Sequence, residues 1–408
     1  MTSPRAIACC ACFVVAACSS RPAQQGVDAA ASDAHHADGA PAIDGRALDG
    51  AAPAGCPAGS TLVVDRTSCA TAIVAPPAPL LATSAQIGDV IDMDGLDEGD
   101  LPCLPALVCA PGSAATILFS DSPESPASDG VLYADTFGPG RARLYVYHVD
   151  ADTNARRFTI VALNQGGSDA HATIVREGLA APSTDYLDVG KAVATAWMAS
   201  SASTVVTVPA GTRVVLDAAL DAEVATTNQL VHAIIDVEAD APLKLSIVSV
   251  LANEDAATVT AGLPLLAADA DHDRGTFANA DLWLAATSSD PAASARHVRL
   301  GDGTTEPELT GIDATTGAPA TLHGNYGVAY RAITSLASAT GSIAFAASPR
   351  GGAWAGAQGG SATASLPTAS GGLAATTSAI WLGSARNFLL MSGGGSSLPV
   401  DLVSIAQP

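Results

Sequence analysis

Arg143-Leu-Tyr-Val-Tyr-His148 is a short run of aromatic, aliphatic and β-branched residues, and it decides the fold class of this chain. Such runs favour β-strands, because these side chains fit a pleated and partly buried surface. Similar runs, separated by Gly, Pro, Asp or Ser, are 131–137, 157–163, 172–176, 205–208, 213–216, 231–237, 243–250, 281–284, 297–300, 326–330, 342–346, 380–382, 388–391 and 400–403. Short strands at this spacing indicate antiparallel β-sandwiches, so we predict a mostly β protein.

One segment between these runs has a different period. Val189, Val193 and Trp197 recur every four residues, which is typical of one short amphipathic helix. The preceding Ser183 or Thr184 is expected to be its N-cap, because a side-chain hydroxyl there can accept a backbone hydrogen bond. We expect the helix to pack across one end of a sandwich.

The N-terminus has the layout of a secretory signal peptide. Arg5 precedes about ten uncharged, mostly apolar residues. The sequence Val15-Ala-Ala-Cys18 then resembles the bacterial lipobox, in which the chain is cut before a cysteine that carries lipid. We therefore expect lipidation of Cys18 and anchoring to a membrane. Because Ser19 is not acidic, resemblance to Gram-negative sorting favours the outer membrane. A spanning helix would need roughly 20 apolar residues, which is more than this segment offers.

The chain divides by composition into five expected parts. They are a signal peptide at 1–17, a lipidated disordered tether at 18–55, a small disulfide-bearing acidic region at 56–112, and two antiparallel sandwiches at 113–262 and 263–408. The tether is rich in Ala, Gly, Pro and Asp, so it cannot bury enough apolar surface to offset its ordering entropy.

Eight cysteines are present, and four of them follow Cys18. An even number in an exported chain indicates disulfides, which an oxidising compartment permits. Four cysteines allow three pairings. Short loops cost less entropy to close, so proximity favours Cys56–Cys69 and Cys103–Cys109.

Charge excludes some partners and leaves calcium open. The formal net charge of −22 disfavours binding to nucleic acid. The acidic run 89–100 and the alternating Asp269, Asp271 and Asp273 could supply oxygen ligands to Ca2+, although neither matches the twelve-residue calcium loop. A solvated acidic turn and a charged linker are the respective alternatives. Arg274 could instead bridge to a carboxylate.

Several longer phrases resemble a known group of proteins. These phrases are 131–137, 181–191, 274–281, 300–304, 309–317, 324–328 and 349–356. Together they resemble uncharacterised secreted bacterial proteins that are often labelled by a copper amine oxidase N-terminal (stalk-like) domain. The resemblance covers residues 131–402 and brings no established activity. The stalk-like domain itself is expected to be absent here.

Copper amine oxidase activity is rejected on sequence. Such an oxidase needs three histidine ligands and a Thr-x-x-Asn-Tyr-Asp/Glu motif. Around Asn325-Tyr326, Leu322 stands in place of Thr and Gly327 in place of the acid, and the sequence contains no His-x-His pair. Gly-x-Ser-x-Gly, phosphate-loop and His-Glu-x-x-His motifs are also missing from the sequence.

These observations favour a non-enzymatic lipoprotein that binds or scaffolds a partner in the cell envelope. The alternative is a glycan-binding or carbohydrate-active extracellular protein, stabilised by calcium or not, with Asp302 and Asp313 as candidate acid/base residues. We expect His148, His232 and His297, which lie in strand runs, to be structural or surface histidines.

Overall fold

A computed structural model describes residues 56–66, 84–93, 101–288, 295–336, 342–360, 362–372, 378–385 and 387–407. The signal peptide, Cys18, the tether at 18–55, Cys69 and the acidic run beyond Met93 lie outside these residues. In the described part, no helix combines the length and apolar character needed to cross a membrane.

The described residues are mostly in β-strands, so the predicted fold class is confirmed. The strands are β1 Ser60–Asp65, β2 Val90–Asp92, β3 Ala106–Pro111, β4 Thr116–Ser120, β5 Gly130–Phe137, β6 Gly140–Val149, β7 Arg156–Leu163, β8 Ala170–Leu179, β9 Thr204–Val208, β10 Arg213–Val215, β11 Leu230–Ala239, β12 Leu243–Leu251, β13 Arg274–Phe277, β14 Asp281–Ser288, β15 Arg296–Leu300, β16 Leu309–Asp313, β17 Ala318–Leu322, β18 Ala329–Leu336, β19 Ser342–Pro349, β20 Gly352–Gly359, β21 Ala364–Gly371, β22 Ser378–Gly383, β23 Asn387–Ser392 and β24 Val400–Gln407. The helices are α1 Tyr186–Ala199, α2 Ala218–Ala222 and α3 Ala256–Val259, with short 3-10 turns at Thr260–Gly262 and His323–Asn325.

Four sheets form the body of the molecule. Their strand orders are β1-β3-β14-β18-β23-β20-β21, β10-β7-β12-β5, β17-β16-β13-β4-β6-β11-β8-β9 and β15-β24-β19-β22-β2. Most pairs are antiparallel, but β4 with β6 and β14 with β18 are parallel. The eight-stranded sheet joins strands from both sides of residue 262, and the seven-stranded sheet includes β1 and β3. The expected boundaries at residues 112 and 262 therefore do not separate the sheets.

Strand β6 shows why the eight-stranded sheet lies between two cores. Leu144 and Val146 pack with residues of the four-stranded sheet. Tyr145 and Tyr147 pack on the opposite side, with α1 and the seven-stranded sheet. Successive side chains of a strand point to opposite faces, so a strand buried on both faces reads as a continuous apolar run.

Helix α1 confirms the predicted helix, including its buried Val189, Val193 and Trp197. The predicted N-cap, Thr184 or Ser183, is wrong. The Asp185 side chain accepts a hydrogen bond from the backbone amide of Asp188, in the first turn, at 3.2 Å. The Ser183 hydroxyl accepts from the Asp185 amide one step earlier, because the chain becomes helical only after Asp185.

The proximity-based disulfide pairing is also wrong, because Cys56 is bonded to Cys109. Strand β1 pairs with β3 with Leu62 opposite Cys109, and a turn from Pro57 to Ser60 brings Cys56 back to this strand. Cys103 is in a disulfide as well. The sequence separation is 53 residues, about four times that of Cys56 and Cys69. Closing the longer loop costs only about 1.2 kcal/mol more in chain entropy, so the pairing of β1 with β3 outweighs this cost.

Peptide mapping under non-reducing conditions tests this pairing. We expect a cross-linked peptide pair that contains Cys56 and Cys109, and we expect reduction to separate it. A Cys109→Ser variant should leave Cys56 free to react with an alkylating reagent. Recovery of a Cys56–Cys69 peptide from the unreduced wild-type protein would contradict the structure.

Candidate functional site

A cavity of about 160 Å3 lies where helix α1 meets strands of the eight- and seven-stranded sheets. Its charged lining consists of Arg141 of β6, Arg176 of β8, Arg331 of β18 and Asp281 of β14. The remaining lining residues are Pro111, Ser113, Trp197, Trp283, Ala329 and Leu389. Three cations therefore face one anion here, in a chain whose formal charge is −22.

Arg176 of the cavity lining belongs to a row of charged residues across three adjacent strands. Asp236 of β11 lies directly opposite Arg143 of β6 and, on its other side, opposite Arg176 of β8. Directly opposed side chains lie within about 4.5–5.5 Å at their Cβ atoms, so opposite charges attract along the row. One carboxylate is thereby shared between two arginine-bearing strands.

A β-bulge places Arg176 in this row. Val237 pairs with Ile174 and Asp236 with Arg176, so Val175 is the extra residue. Ile174 packs into the core on the four-stranded side. In a regular strand, side chains two residues apart lie on the same face. Without the bulge, Arg176 would therefore point with Ile174 towards the four-stranded sheet. The bulge instead turns its guanidinium towards α1, a re-aiming that bulges often perform near functional sites.

Arg143 is fully buried and all of its charge is compensated inside the protein. Its Nε donates to Asp236 at 2.8 Å and its Nη2 to Asp281 at 2.7 Å. Its Nη1 donates to the carbonyls of Ala280 and Gly327 at 2.7 and 2.9 Å. Burial alone would lower the pKa of Arg143, but the two carboxylates raise it above its usual value. Arg143 is therefore a structural cation, unavailable to a ligand.

Helix α1 places Trp197 against the same row of charged side chains. The indole Nε1 donates to Asp236 at 3.1 Å, and the guanidinium carbons of Arg143 and Arg176 lie 4.3 and 4.8 Å from the indole ring centroid. Helix α1 and strand β8 can come this close because residue 178 is a glycine. A Cβ on Gly178 would lie 2.3 Å from the Val193 carbonyl oxygen. The indole orients both guanidinium groups through cation–π contact.

Arg176 differs from Arg143 in that its guanidinium contacts the Trp197 ring but is not hydrogen-bonded to a carboxylate. In the described part of the chain, no hydrogen bond or ion pair reaches its guanidinium, which is only partly buried. Burial lowers the pKa of Arg176, and the Asp236 charge does not offset this effect. Arg141 donates to Asp236 at 2.6 Å, but its buried Nε has no acceptor. Arg331 donates to the Asn387 side chain at 2.9 Å.

This lining is suited to binding an anion rather than to acid–base chemistry. Arginine stays protonated in proteins and presents planar N–H donors that match a carboxylate or phosphate. Although burial opposes it, the nearby Arg143 charge lowers the pKa of Asp281 below its usual value. Asp281 therefore stays ionised and cannot donate a proton near neutral pH.

Residues Asp269, Asp271 and Asp273 do not converge on one point. Asp269 accepts from the Glu124 and His272 amides and contacts the His272 ring, while Asp273 contacts His323. Among the described residues, no group of three His, Cys, Asp or Glu side chains is arranged to hold a metal ion. The calcium site stays a prediction, without support from this geometry.

His272 instead joins two loops through charge. Its Nε2 lies 2.6 Å from Glu124 and its Nδ1 lies 3.0 Å from Asp269. The hydrogen bond to Glu124 raises the pKa of His272 to about 10, against the opposing effect of burial. Nearby, burial raises the pKa of Asp121 well above its usual value. The cluster therefore holds protons that the unfolded chain would release.

We expect the protein to lose stability as the pH rises through this window. The folded pKa of His272, about 10, lies above the unfolded value of 6.5, so its contribution is complete below about pH 6.5 and lost as pH passes 10. The loss should be on the order of 1 kcal/mol, since the pair is partly exposed. Urea unfolding at roughly pH 6, 8 and 10 measures it. A His272→Gln variant should flatten this slope, and an unchanged slope would contradict the assignment.

The two candidate acid/base residues are both engaged in local structure. Asp302 accepts from the amides of Thr304, Thr305 and Glu306 and so shapes its own loop. Asp313 forms an ion pair with Arg274 at 3.1 Å, which confirms that Arg274 bridges to a carboxylate. Neither residue faces the arginine-lined cavity.

Glu306 is a buried carboxyl that the sequence analysis did not single out. It accepts from the Gly301 amide at 2.9 Å and from the Asn325 side chain at 3.0 Å. Burial raises the pKa of Glu306 to about 7. These hydrogen bonds tie the loop after β15 to the turn at His323–Asn325, so Glu306 has a structural explanation.

His148 and His232, two of the histidines in strands, are structural, as predicted. His148 is fully buried between the Ser120 hydroxyl and the Pro123 carbonyl, both at 2.9 Å. His232 contacts the Val146 carbonyl at 2.8 Å. Burial lowers the pKa of His148 to about 3 and that of His232 to about 4. Neither histidine is accessible as a base.

Comparisons with known proteins leave the chain without a family. No family model matches it, and no curated protein matches it. Among solved structures, an 11S globulin from Wrightia tinctoria is 11% identical and aligns over 78% of this chain and 86% of its own. Its TM-score is 0.12, which is too low to carry an argument about fold or function.

Proposed function

We propose that this chain is an exported protein of the bacterial envelope, anchored by lipid on Cys18, that acts by binding an anionic ligand. The observation that carries the binding role is the cavity in which Arg141, Arg176 and Arg331 face a single aspartate. Unlike Arg143, Arg176 makes no hydrogen bond or ion pair within the described residues. An anion would supply the missing counter-charge.

The proposed location is supported by the sequence and by the cystine. The lipobox-like Val15-Ala-Ala-Cys18 follows an apolar run of the right length. Several acyl chains on one cysteine would give stable anchoring, since each buried methylene contributes about 0.8 kcal/mol. The Cys56–Cys109 disulfide fits an oxidising compartment outside the cytosol. For a Gram-negative cell, we propose the outer membrane.

Intact mass spectrometry of the membrane-extracted protein tests the anchor. We expect a chain that begins at Cys18 and carries acyl groups. A Cys18→Ser variant should lack the acyl mass and fractionate away from membranes, while Cys12→Ser, in the part to be removed, should behave as wild type. Wild-type protein cut elsewhere or free of lipid would contradict the anchor.

Thermal unfolding tests the binding role separately. A ligand that binds only the folded state at 100 times its Kd adds about 2.7 kcal/mol to stability. We expect at least one small anion from a panel of carboxylates, phosphates and sulfates to raise Tm saturably, at constant ionic strength. The absence of a saturable shift across the whole panel would contradict the binding role.

Glycan binding is the second candidate. Trp283 lines the cavity beside the arginines and is only partly buried. Aromatic rings offer a flat apolar surface, and the apolar face of a sugar ring can stack on one.

A further inference from the structure

We propose that the cavity binds the carboxylate of an acidic sugar unit, a uronate, through Arg176 and Arg141, with the sugar ring against Trp283. The inference rests on the proposed binding role and specifies its ligand. It does not depend on the lipid anchor.

The charge balance around the cavity favours an anion. Arg141, Arg143, Arg176 and Arg331 are four cations, and they still outnumber the carboxylates when Glu238, directly opposite Arg141 on β11, is counted with Asp236 and Asp281. Arg143 uses Asp236 and Asp281, and Arg141 shares Asp236. The excess charge therefore falls on the two arginines that are least compensated, Arg176 and Arg331.

The donors at this position are already oriented before a ligand arrives. The Arg176 guanidinium lies 4.8 Å from the Trp197 ring centroid, and Trp197 is itself fixed by its hydrogen bond to Asp236. The buried Nε of Arg141 has no acceptor in the described structure. A preorganised planar fork loses little side-chain entropy on binding, which raises affinity for a planar carboxylate.

The size of the cavity limits what can enter. Its volume of about 160 Å3 is below the roughly 300–1,000 Å3 of pockets for drug-sized ligands. A charged group and part of one ring fit this space, so the cavity is suited to one unit of a larger chain rather than to a whole oligosaccharide.

The remaining walls favour a carboxylate that is attached to a ring. Pro111, Trp283 and Leu389 give the cavity an apolar side on the seven-stranded sheet, where Arg331 of β18 lies between Trp283 and Leu389. Trp283 lies beside Cys109 in the seven-stranded sheet, and the disulfide of Cys109 holds the neighbouring strand β1. A free acetate would use the arginines but leave this apolar side in water. A ring would cover it and gain hydrophobic contact.

Isothermal titration calorimetry of the processed chain, made soluble with Cys18→Ser, tests the proposal with galacturonate, galactose, acetate and galactose 6-phosphate. We expect galacturonate to bind, galactose to bind at least tenfold more weakly, and acetate to bind more weakly than galacturonate. Arg176→Met should weaken galacturonate at least tenfold, because it removes a charge-assisted hydrogen bond. The matched control Arg213→Met, on β10 away from the cavity lining, should leave the affinity unchanged.

Each other outcome overturns the proposal in a distinct way. Tighter binding of the sugar phosphate, lost in Arg176→Met, would overturn the carboxylate but keep an anion-binding role. Equal binding of acetate would overturn the ring contact, and equal binding of galactose would overturn the arginine contact. No binding of any anion would overturn the binding role as well. If Arg176→Met fails to fold, Arg331→Gln at the more exposed edge should still weaken galacturonate several-fold, and no change there would overturn the proposal.

Discussion

Replacing Asp236 with alanine is expected to lower the free energy of unfolding by about 3–5 kcal/mol, or to prevent folding. The buried carboxylate accepts hydrogen bonds from Arg143 at 2.8 Å, Arg141 at 2.6 Å and Trp197 at 3.1 Å. Its removal would leave the fully buried guanidinium of Arg143 with one carboxylate, Asp281, instead of two. Uncompensated buried charge is among the most destabilising changes a single substitution can make.

Urea unfolding of Asp236→Ala beside Asp240→Ala measures this effect. Asp240 follows the same strand and pairs with His171 at 2.9 Å, but both side chains are about half exposed. Exposed pairs contribute about 0–1 kcal/mol, so the control should be nearly neutral. Equal losses in the two variants, or a loss below about 1 kcal/mol in Asp236→Ala, would contradict the buried network.

Replacing Gly190 with alanine is expected to destabilise the protein by about 1–3 kcal/mol, against its helix propensity. Gly190 lies inside helix α1, where alanine should add about 1 kcal/mol to stability. However, a Cβ on Gly190 would lie 1.9 Å from the Gly394 carbonyl oxygen, so helix or loop must move. The two effects have opposite signs, and packing is expected to dominate.

Gly167→Ala is the matched control for this substitution. A Cβ on Gly167 would meet no atom within 4 Å, and its φ angle is not in the left-handed region. Alanine there should be neutral or stabilise the protein by up to about 1 kcal/mol. Thermal or urea unfolding compares the two variants. A more stable Gly190→Ala would show that α1 is not pressed against the loop at Gly394.

Local sequence patterns predicted the strands and the helix well. Arg143-Leu-Tyr-Val-Tyr-His148 lies within β6, and the spacing of Val189, Val193 and Trp197 matches the buried face of α1. Both patterns depend on side chains near in sequence, which a period of two or four records directly. They also indicated burial correctly, because strands and helices must cover their apolar faces.

Sheet pairing and the cavity could not be predicted in this way. Asp236 meets Arg143 and Arg176 only because β11 lies between β6 and β8 in one register, and a period carries no information about neighbours. The bulge at Val175 reverses the side on which Arg176 would lie. One local signal was available: Asp236 interrupts an apolar strand run, and a charge there is almost always paired.

The Cys56–Cys109 disulfide illustrates the same limit. Proximity in sequence ranks loops by entropy, yet fourfold differences in length are worth only about 1.2 kcal/mol. Pairing of β1 with β3, and of β3 with β14, fixes which cysteines meet. In the same sheet, pairing of β14 with β18 sets Trp283 opposite Arg331, so disulfide and cavity depend on one sheet arrangement.

NMR of the four tryptophan indole N–H groups, during titration with galacturonate, tests the binding account most directly. The signals are assigned with single Trp→Phe variants. We expect saturable shifts of Trp283 and Trp197, which line the cavity, and none of Trp381, which lies in the core of the five-stranded sheet. Unmoved signals of Trp283 and Trp197 at saturating galacturonate would contradict the binding account.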